Sequence, residues 1–181
     1  MTLFFSSDLH LNHAKILTFK DDDGNLFRGQ FADADEMNEH IIECHNKVVR
    51  PYDKWYCLGD VGFGIKKLSP LLHRMNGHKR LILGNHDYAE RKDFEFYFQH
   101  FEKVMESRRM GPILLTHRPV YLGEHEIRIK ANVHGHIHER VLPDKRYLNI
   151  SVERIAYTPV SFDEIETMIE AQGVSLEVET V

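Results

Sequence analysis

Arg80-Leu81-Ile82-Leu83-Gly84-Asn85-His86-Asp87 sets the pattern for the whole chain. Its first four residues form a short apolar run, the length and composition of a buried strand. At a glycine the run gives way to an amide, an imidazole and a carboxylate, three side chains that can bind a metal or move a proton. Side chains just past the carboxyl end of a strand are held by the sheet yet reach solvent, and α/β sheets gather ligands there.

The same arrangement recurs on both sides. Upstream, Leu3 to Ser6 leads to Asp8-Leu9-His10, and Trp55 to Leu58 leads to Gly59-Asp60. Downstream, Ile113 to Leu115 leads to Thr116-His117, and Lys130 to Val133 leads to His134-Gly135-His136-Ile137-His138. Five such units would bring distant residues around one crevice.

The connecting segments read mostly as helices. Asp33 with Glu36 makes a capping box, predicting a helix to about Val49 with Met37, Ile41, Cys44 or His45, and Val48 as its stripe, stopped by Pro51. Ser69-Pro70 predicts the start of a second helix, with proline at its first position and Gly77 at its end. Glu90 to His100 predicts a third, and a second capping box, Ser161 with Glu164, a last helix ending at Gly173. Tyr147 to Ile150 reads as one more strand. Lys20 to Ala32 is polar, with a surface turn or small hairpin at 21–25; an EF-hand register fails there because Phe19 would hold the first ligand position. The order of elements predicts a mixed α/β or layered sandwich, one domain over residues 1–181.

A net charge of −5 excludes a basic footprint for extended nucleic acid, while leaving a nucleotide or short strand open if bound cations add local charge. Thirteen histidines favour metal or acid–base chemistry. Cys44 and Cys57 lack metal-site spacing and read as buried, reduced thiols. No apolar run reaches membrane-spanning length and no secretory signal is visible, so a cytoplasmic protein without a membrane partner is expected. Oligomeric state leaves no mark in the sequence.

The donors suit a particular reaction. A phosphoester resists attack because its oxygens are negative. Two cations about 3.5–4 Å apart neutralise that charge and lower the pKa of a shared water. A carboxylate can bridge two cations, and Asp60 is the natural candidate. Imidazole and amide oxygen suit borderline divalent ions: manganese is the first expectation, with iron, zinc, nickel or magnesium also compatible. The absence of thiolates among the donors argues against a structural zinc site.

Asp-x-His, Gly-Asp, Gly-Asn-His-Asp, a lone His and Gly-His-x-His, in that order from Asp8 to His138, resemble the calcineurin-like metallophosphoesterase superfamily. The opening Phe5-Ser6-Ser7-Asp8-Leu9-His10-Leu11-Asn12-His13 and the short chain resemble its small bacterial and phage members. Each piece alone has an ordinary explanation, such as a cap, a turn or a surface pair; the ordered set of five carries the resemblance. It implies an α/β fold, a four-layer sandwich of two mixed β-sheets flanked by helices. It implies that Asp8, His10 and His138 hold one metal, that Asn85, His117 and His136 hold a second, and that Asp60 bridges them. His86 would stand near the leaving-group oxygen as general acid or transition-state donor, with Asp87 orienting it by a hydrogen bond. The implied reaction is attack of a metal-bridging hydroxide on a phosphodiester, such as a cyclic or short nucleotide. A monoesterase or a small nuclease would use the same centre. A non-catalytic scaffold would be expected to have lost ligands or the counterpart of His86, and none is missing.

Around this set, Asn12 and His13 either touch substrate or cap the helix that follows. Arg118 either pairs with a phosphate oxygen or forms a salt bridge on the rim, and Arg28 is a weaker candidate of the same kind. Phe27, Phe63 and Tyr121 are the aromatics a nuclease could stack on, whereas Trp55 and Tyr56 read as core. His40, His45, His73, His78 and His100 read as surface or packing residues, His125 as a rim residue, and His134 as either support for the site or packing. The stretches 20–32 and 121–128 are the expected walls of the site.

Overall fold

The computed structural model describes residues 1–21, 23–88, 91–123 and 128–177. Its strands are β1 (Leu3–Ser6), β2 (Lys54–Cys57), β3 (His78–Ile82), β4 (Lys103–Met105), β5 (Ser107–Met110), β6 (Ile113–Thr116), β7 (Ala131–His134), β8 (Tyr147–Asn149) and β9 (Val160–Ser161). Its helices are α1 (Ala34–Val48), α2 (Ile65–Arg74), α3 (Arg91–His100) and α4 (Phe162–Ala171), with a 3-10 turn at Ala14–Thr18. One sheet has the order β4-β3-β2-β1-β9, the other β5-β6-β7-β8. Strands β1 to β4 run parallel with β9 antiparallel; β6 to β8 run parallel with β5 antiparallel. The described residues thus form a mixed α/β sandwich of two mixed sheets and four helices.

Alternation along β2 builds two cores. Trp55 and Cys57 face the helices, packing with Met37 and Ile41 of α1, Leu68 and Leu72 of α2 and Tyr97 of α3. Tyr56 and Leu58 face the other sheet, joining Phe5 and Ile82 against Ile113, Leu115, Ala131, Val133 and Leu148, with Ile165 and Ile169 of α4. Parallel strands buried on both faces read as near-continuous apolar runs, which is why β1, β2, β3, β6 and β7 were legible. On the outer face of the second sheet, buried Asn132 accepts the Val120 N–H at 3.0 Å and the Tyr147 hydroxyl donates to Val120 O at 2.8 Å, so an extended segment covers that side.

Fully buried Trp55 donates Nε1–H to Ser6 Oγ at 2.9 Å. His45 meets its ring edge-on at 4.7 Å and is packed, with burial lowering its pKa to about 4. Cys44 and Cys57 are buried and unpaired. His78 opens β3 on the surface beside Glu102. A hairpin forms in the polar stretch, bridging Lys20 to Leu26, with the Asp21 carboxylate accepting the amides of Asp23 and Asn25. No described helix is long and apolar enough to cross a membrane.

Four expectations need correction. In the first capping box Asp33 accepts the Glu36 N–H, but Glu36 reaches Ala32 N rather than Asp33 N. Helix α2 starts at Ile65, with Gly64 as N-cap and Pro70 inside it. Leu68 and Leu72 anchor that helix, and the carbonyl that Pro70 leaves unpaired belongs to exposed Lys66, where water can satisfy it. The helix ends at Arg74, three residues before Gly77. Strands β4, β5 and β9 were not anticipated, each being short and without the apolar run that marks β1 or β2. His125 and part of the 121–128 wall lie outside the described residues.

Candidate metal centre

All five motifs follow strands whose carboxyl ends point the same way. The two sheets are stitched together there: Ser7 N–H donates to Ile150 O at 3.2 Å and Val152 N–H to Ser7 O at 3.0 Å. The first two motif loops are joined by Asp8 N–H to Gly59 O and His10 N–H to Asp60 O, both 3.0 Å.

Beyond the strands the backbone adopts a costly conformation. Asp8, His10, Asp60, His136 and His138 have φ of 59°, 49°, 54°, 72° and 51°. Each left-handed residue other than glycine costs roughly 1 kcal/mol or more, and such strain gathers where function over-determines the geometry. Two glycines allow the close approach: a Cβ on Gly84 would strike Asp60 Oδ1, and one on Gly135 would strike Ser7 Oγ and Asp8 Oδ2.

The result is two groups of donors. Asp8, His10 and His138 offer ligand atoms within 4.8 Å of one another, and Asp60, His117 and His136 do the same. Asp60 Oδ2 lies between the groups, 3.6 Å from His10 Nε2 and 3.5 Å from His117 Nε2. Asn85 Oδ1 is 3.0 Å from His117 Nε2.

Proton bookkeeping shows that these donors fit cations. His117 Nδ1 lies 2.8 Å from Leu58 O, which can only accept, and its Nε2 is turned toward two more oxygens, on Asn85 and Asp60. His138 likewise turns Nδ1 to Glu153 Oε1 at 3.1 Å. Asp8 Oδ2 accepts from His136 N and Ser151 Oγ, while its Oδ1 has no partner. Both ring nitrogens of buried His10 are unpartnered. Buried donor atoms without partners, Asp8 Oδ1 and the His10 nitrogens among them, are what a divalent ion satisfies.

The electrostatics favour the ligating form at two of the histidines. Burial, then Arg28 and neighbouring imidazoles, hold His10 well below its ordinary pKa. Burial, then His117 and Arg118, bring His136 to about 4. Both are therefore neutral near pH 7, the ligating form. Burial raises Asp60 to about 6, His117 opposing and Asp8 adding to the rise. Burial would lower His138, but the Glu153 hydrogen bond and charge outweigh it and raise it. Burial would raise Glu153, but Arg28 and His138 outweigh it and bring it to about 2.

His86 is exposed at the rim, its ring 5.7 Å from that of His10 and 5.3 Å from that of Phe63, and its N–H donates to Asp60 Oδ1 at 3.0 Å. Asp87 does not orient it. Fully buried, Asp87 accepts from Asp60 N, Val61 N, Gly84 N and Tyr97 OH, and so ties the second motif loop to the third. Asn12 is also corrected: its amide is spent on Asn38 and Phe63 O, neither facing substrate nor capping the next turn. His13 makes no capping bond and packs its ring 4.3 Å from Phe63 and 5.4 Å from His10, at the edge of the site. Arg28 cannot meet a phosphate. It is fully buried, donating to Asp8 O, Leu9 O and Glu153 from behind the first loop. Arg118 is exposed beside a cavity of about 560 Å³ that also borders Asn85, His117, Tyr88 and Phe94. His134 is packed, with Nδ1 against Gly135 O and its ring near Tyr147. Phe27 stacks 5.5 Å from His138, while Tyr121 is exposed.

Ser151 and Glu153 are the supporting residues that sequence reasoning missed. They follow Tyr147–Asn149 as the other donors follow their strands, so a sixth unit of the same pattern could have pointed to them.

No family model matches the chain. It is similar to the uncharacterized protein MJ1445 of Methanocaldococcus jannaschii, 32% identical over 181 residues, with 93% of this chain and 91% of that one covered. It is also similar to the gene 66 protein of Mycobacterium phage L5, 26% identical over 215 residues, with 94% and 97% covered. Among solved structures, the protein of unknown function AQ665 from Aquifex aeolicus superposes with a TM-score of 0.68 at 23% identity, covering 92% of this chain and 98% of that one, and shares its fold. With nearly a third of its residues in common along almost the full length of both, the chain belongs to the same family as MJ1445.

Proposed function

We propose that the chain is a phosphoester hydrolase working with two divalent cations, a small member of the calcineurin-like metallophosphoesterase superfamily with that family's layered sandwich. The observation that carries this reading is Asp60 Oδ2, within 3.6 Å of one histidine from each donor group. A carboxylate so placed, beside buried donor atoms without partners, supports a bridged pair of ions. Manganese heads the ions this donor set suits, followed by iron, zinc, nickel and magnesium. Bound there, the ions would neutralise phosphate charge and lower the pKa of a water.

The chain's own residues do the rest. Asp8, His10 and His138 would hold one ion, and Asn85, His117 and His136 the other. Glu153 and Leu58 O fix two of the imidazoles so that their Nε2 atoms face inward. Exposed His86, tethered through its amide to Asp60, can give a proton to a departing alcohol from the rim. Arg118 stands where a phosphate oxygen or ester arm would leave the centre. The cavity beside it has room for a second ester group, which favours a diester over a monoester, and a nucleotide or other small phosphoester over a long strand. Two buried, unpaired cysteines fit a reducing cytoplasm.

Turnover of bis-p-nitrophenyl phosphate against p-nitrophenyl phosphate, after metal removal and reloading with Mn, Ni, Zn or Mg, tests this. Metal-dependent diester hydrolysis, lost on metal removal and in Asp60→Ala, is expected. Monoester preference would make the protein a phosphatase, and failure to take up metal would sink the reading.

A further inference from the structure

Opposite the metal centre, at the amino ends of the parallel strands, the two sheets part around a cleft of about 540 Å³. Register explains its chemistry. Phe5, Tyr56, Arg80 and Lys103 form one cross-strand row over β1, β2, β3 and β4. Phe5 and Tyr56 belong to the inter-sheet core, so the same row turns cationic on the face directed at the second sheet. Arg80 alternates with core residue Ile82 along β3, where a parallel strand calls for an apolar side chain. Lys54 on β2 and Arg108 on β5 line the same cleft, so four cations face one lining carboxylate, Glu166, in a chain of net charge −5.

Arg80 is poorly satisfied where it stands. Its side chain is 13% exposed and its Nε is buried without a partner. It donates to Tyr56 OH at 3.1 Å and lies 5.4 Å from that ring's centre. The nearest carboxylate oxygen, on Glu102, is 3.9 Å away, and that side chain also serves His78. Lys54, Lys103 and Arg108 form no ion pair among the described residues. Inward charges on edge strands discourage association, which would account for Lys103 on β4 and Arg108 on β5. It does not account for Arg80 or Lys54, which lie on interior strands.

We propose that this cleft is a second binding site, separate from the metal centre, for a small phosphate-bearing molecule of nucleotide type. A phosphate would meet the part of Arg80 that lines the cleft and the flanking cationic side chains, since a guanidinium matches phosphate oxygens in fork geometry. An aromatic or apolar body would rest on Met105, Met110 and Phe162, which line the same space.

Titrating AMP, ADP and inorganic phosphate into the full-length chain, followed by calorimetry and backbone amide shifts, tests the site. ADP is expected to saturate, to shift amides in β4 and β5, and to bind about tenfold or more weakly to Arg80→Gln. Arg108→Gln, on an exposed edge where folding is not at risk, should weaken it about threefold. With metal stripped from both proteins, Asp60→Asn, at the other end of the sandwich, should shift the β4 and β5 amides as wild type does, so this outcome stands or falls apart from the metal reading. No saturation at millimolar ADP would overturn the proposal. So would binding lost in Asp60→Asn but unchanged in Arg108→Gln. Oligothymidine binding tighter than ADP through the same residues would also overturn it, marking a nucleic-acid surface.

Discussion

His138 and His117 hold matching places in the two donor groups but are oriented by different means. His138 turns Nδ1 to a carboxylate, Glu153, which is locked to Arg28 at 2.8 Å; Arg28 in turn holds the carbonyls of Asp8 and Leu9. His117 turns Nδ1 to a backbone carbonyl, Leu58 O. The first group is therefore backed by buried charge, with Asp8 fully buried and His10 nearly so, while His138 is partly exposed. The second is backed by the sheet itself and opens on the cavity beside Arg118, where Asn85 and His136 are half-buried. A carboxylate behind an imidazole raises its basicity as a ligand, whereas a carbonyl mainly fixes the tautomer. The first group should thus grip its ion more tightly, and the second should meet the substrate.

Asp60→Ala gives the largest expected effect because it erases the distinction. With the shared carboxylate gone, metal analysis should find both ions lost and activity abolished. One ion retained at full occupancy would mean that Asp60 serves a single group. His86→Ala should leave both ions in place yet cost about 10²–10⁴-fold in turnover of esters with poor leaving groups. It should cost far less for p-nitrophenol, which needs no proton to depart. Equal losses for both would reduce His86 to charge stabilisation.

Glu153→Gln sharpens the comparison directly. The affinity of the first ion should fall about 10–100-fold, with the second unchanged. The same variant tests the buried ion pair without metal. The Glu153 carboxyl is lowered in the folded state to about 2 from an ordinary 4.5. Its stabilisation is therefore complete above about pH 4.5 and is lost as pH falls toward 2, a span worth roughly 3 kcal/mol. His138, raised by the same pairing, has the opposite sign: its share is complete below its ordinary value and fades as pH rises through the folded one. Urea midpoints of the metal-free protein should show a steeper acid slope between pH 4.5 and 2 in wild type than in Glu153→Gln. Parallel slopes would mean that the Arg28 pair contributes nothing.

The unequal backing of the two groups also explains what the sequence could reveal. Asp8, Asp60, Asn85, His117 and His136 come together because each follows an apolar run within a few residues, and a short strand leaves little freedom in where its next side chains go. β1 was bounded correctly for the same reason. Asp87 and Asn12 were misjudged because adjacency does not give direction: Asp87 turns back to the amides of its own and the neighbouring loop, and Asn12 turns to Asn38. Arg28 looked available because its polar stretch read as surface, yet it is buried behind Asp8. Glu153 was invisible because its place depends on the bridge between Ser7 and Ser151, a pairing across most of the chain that no local periodicity encodes. Edge strands β4 and β5 lacked apolar alternation, since Lys103 and Arg108 stand at inward positions where an apolar side chain would have marked the core face.

Arg118→Ala carries the smallest expected effect and probes the open group alone. Its guanidinium is exposed and water-screened, so it adds little to the fold, and removing it should leave metal content and melting temperature unchanged. If it meets phosphate oxygens in the bound substrate and the transition state alike, KM for bis-p-nitrophenyl phosphate should rise several-fold with kcat preserved. A fall in kcat at constant KM would mean that the contact forms as charge shifts to the leaving group, giving Arg118 a part in catalysis. Unchanged kinetics would mean that substrate leaves the centre over the first group, past Phe27 and His13, and that the openness of the second group serves exchange of its ion.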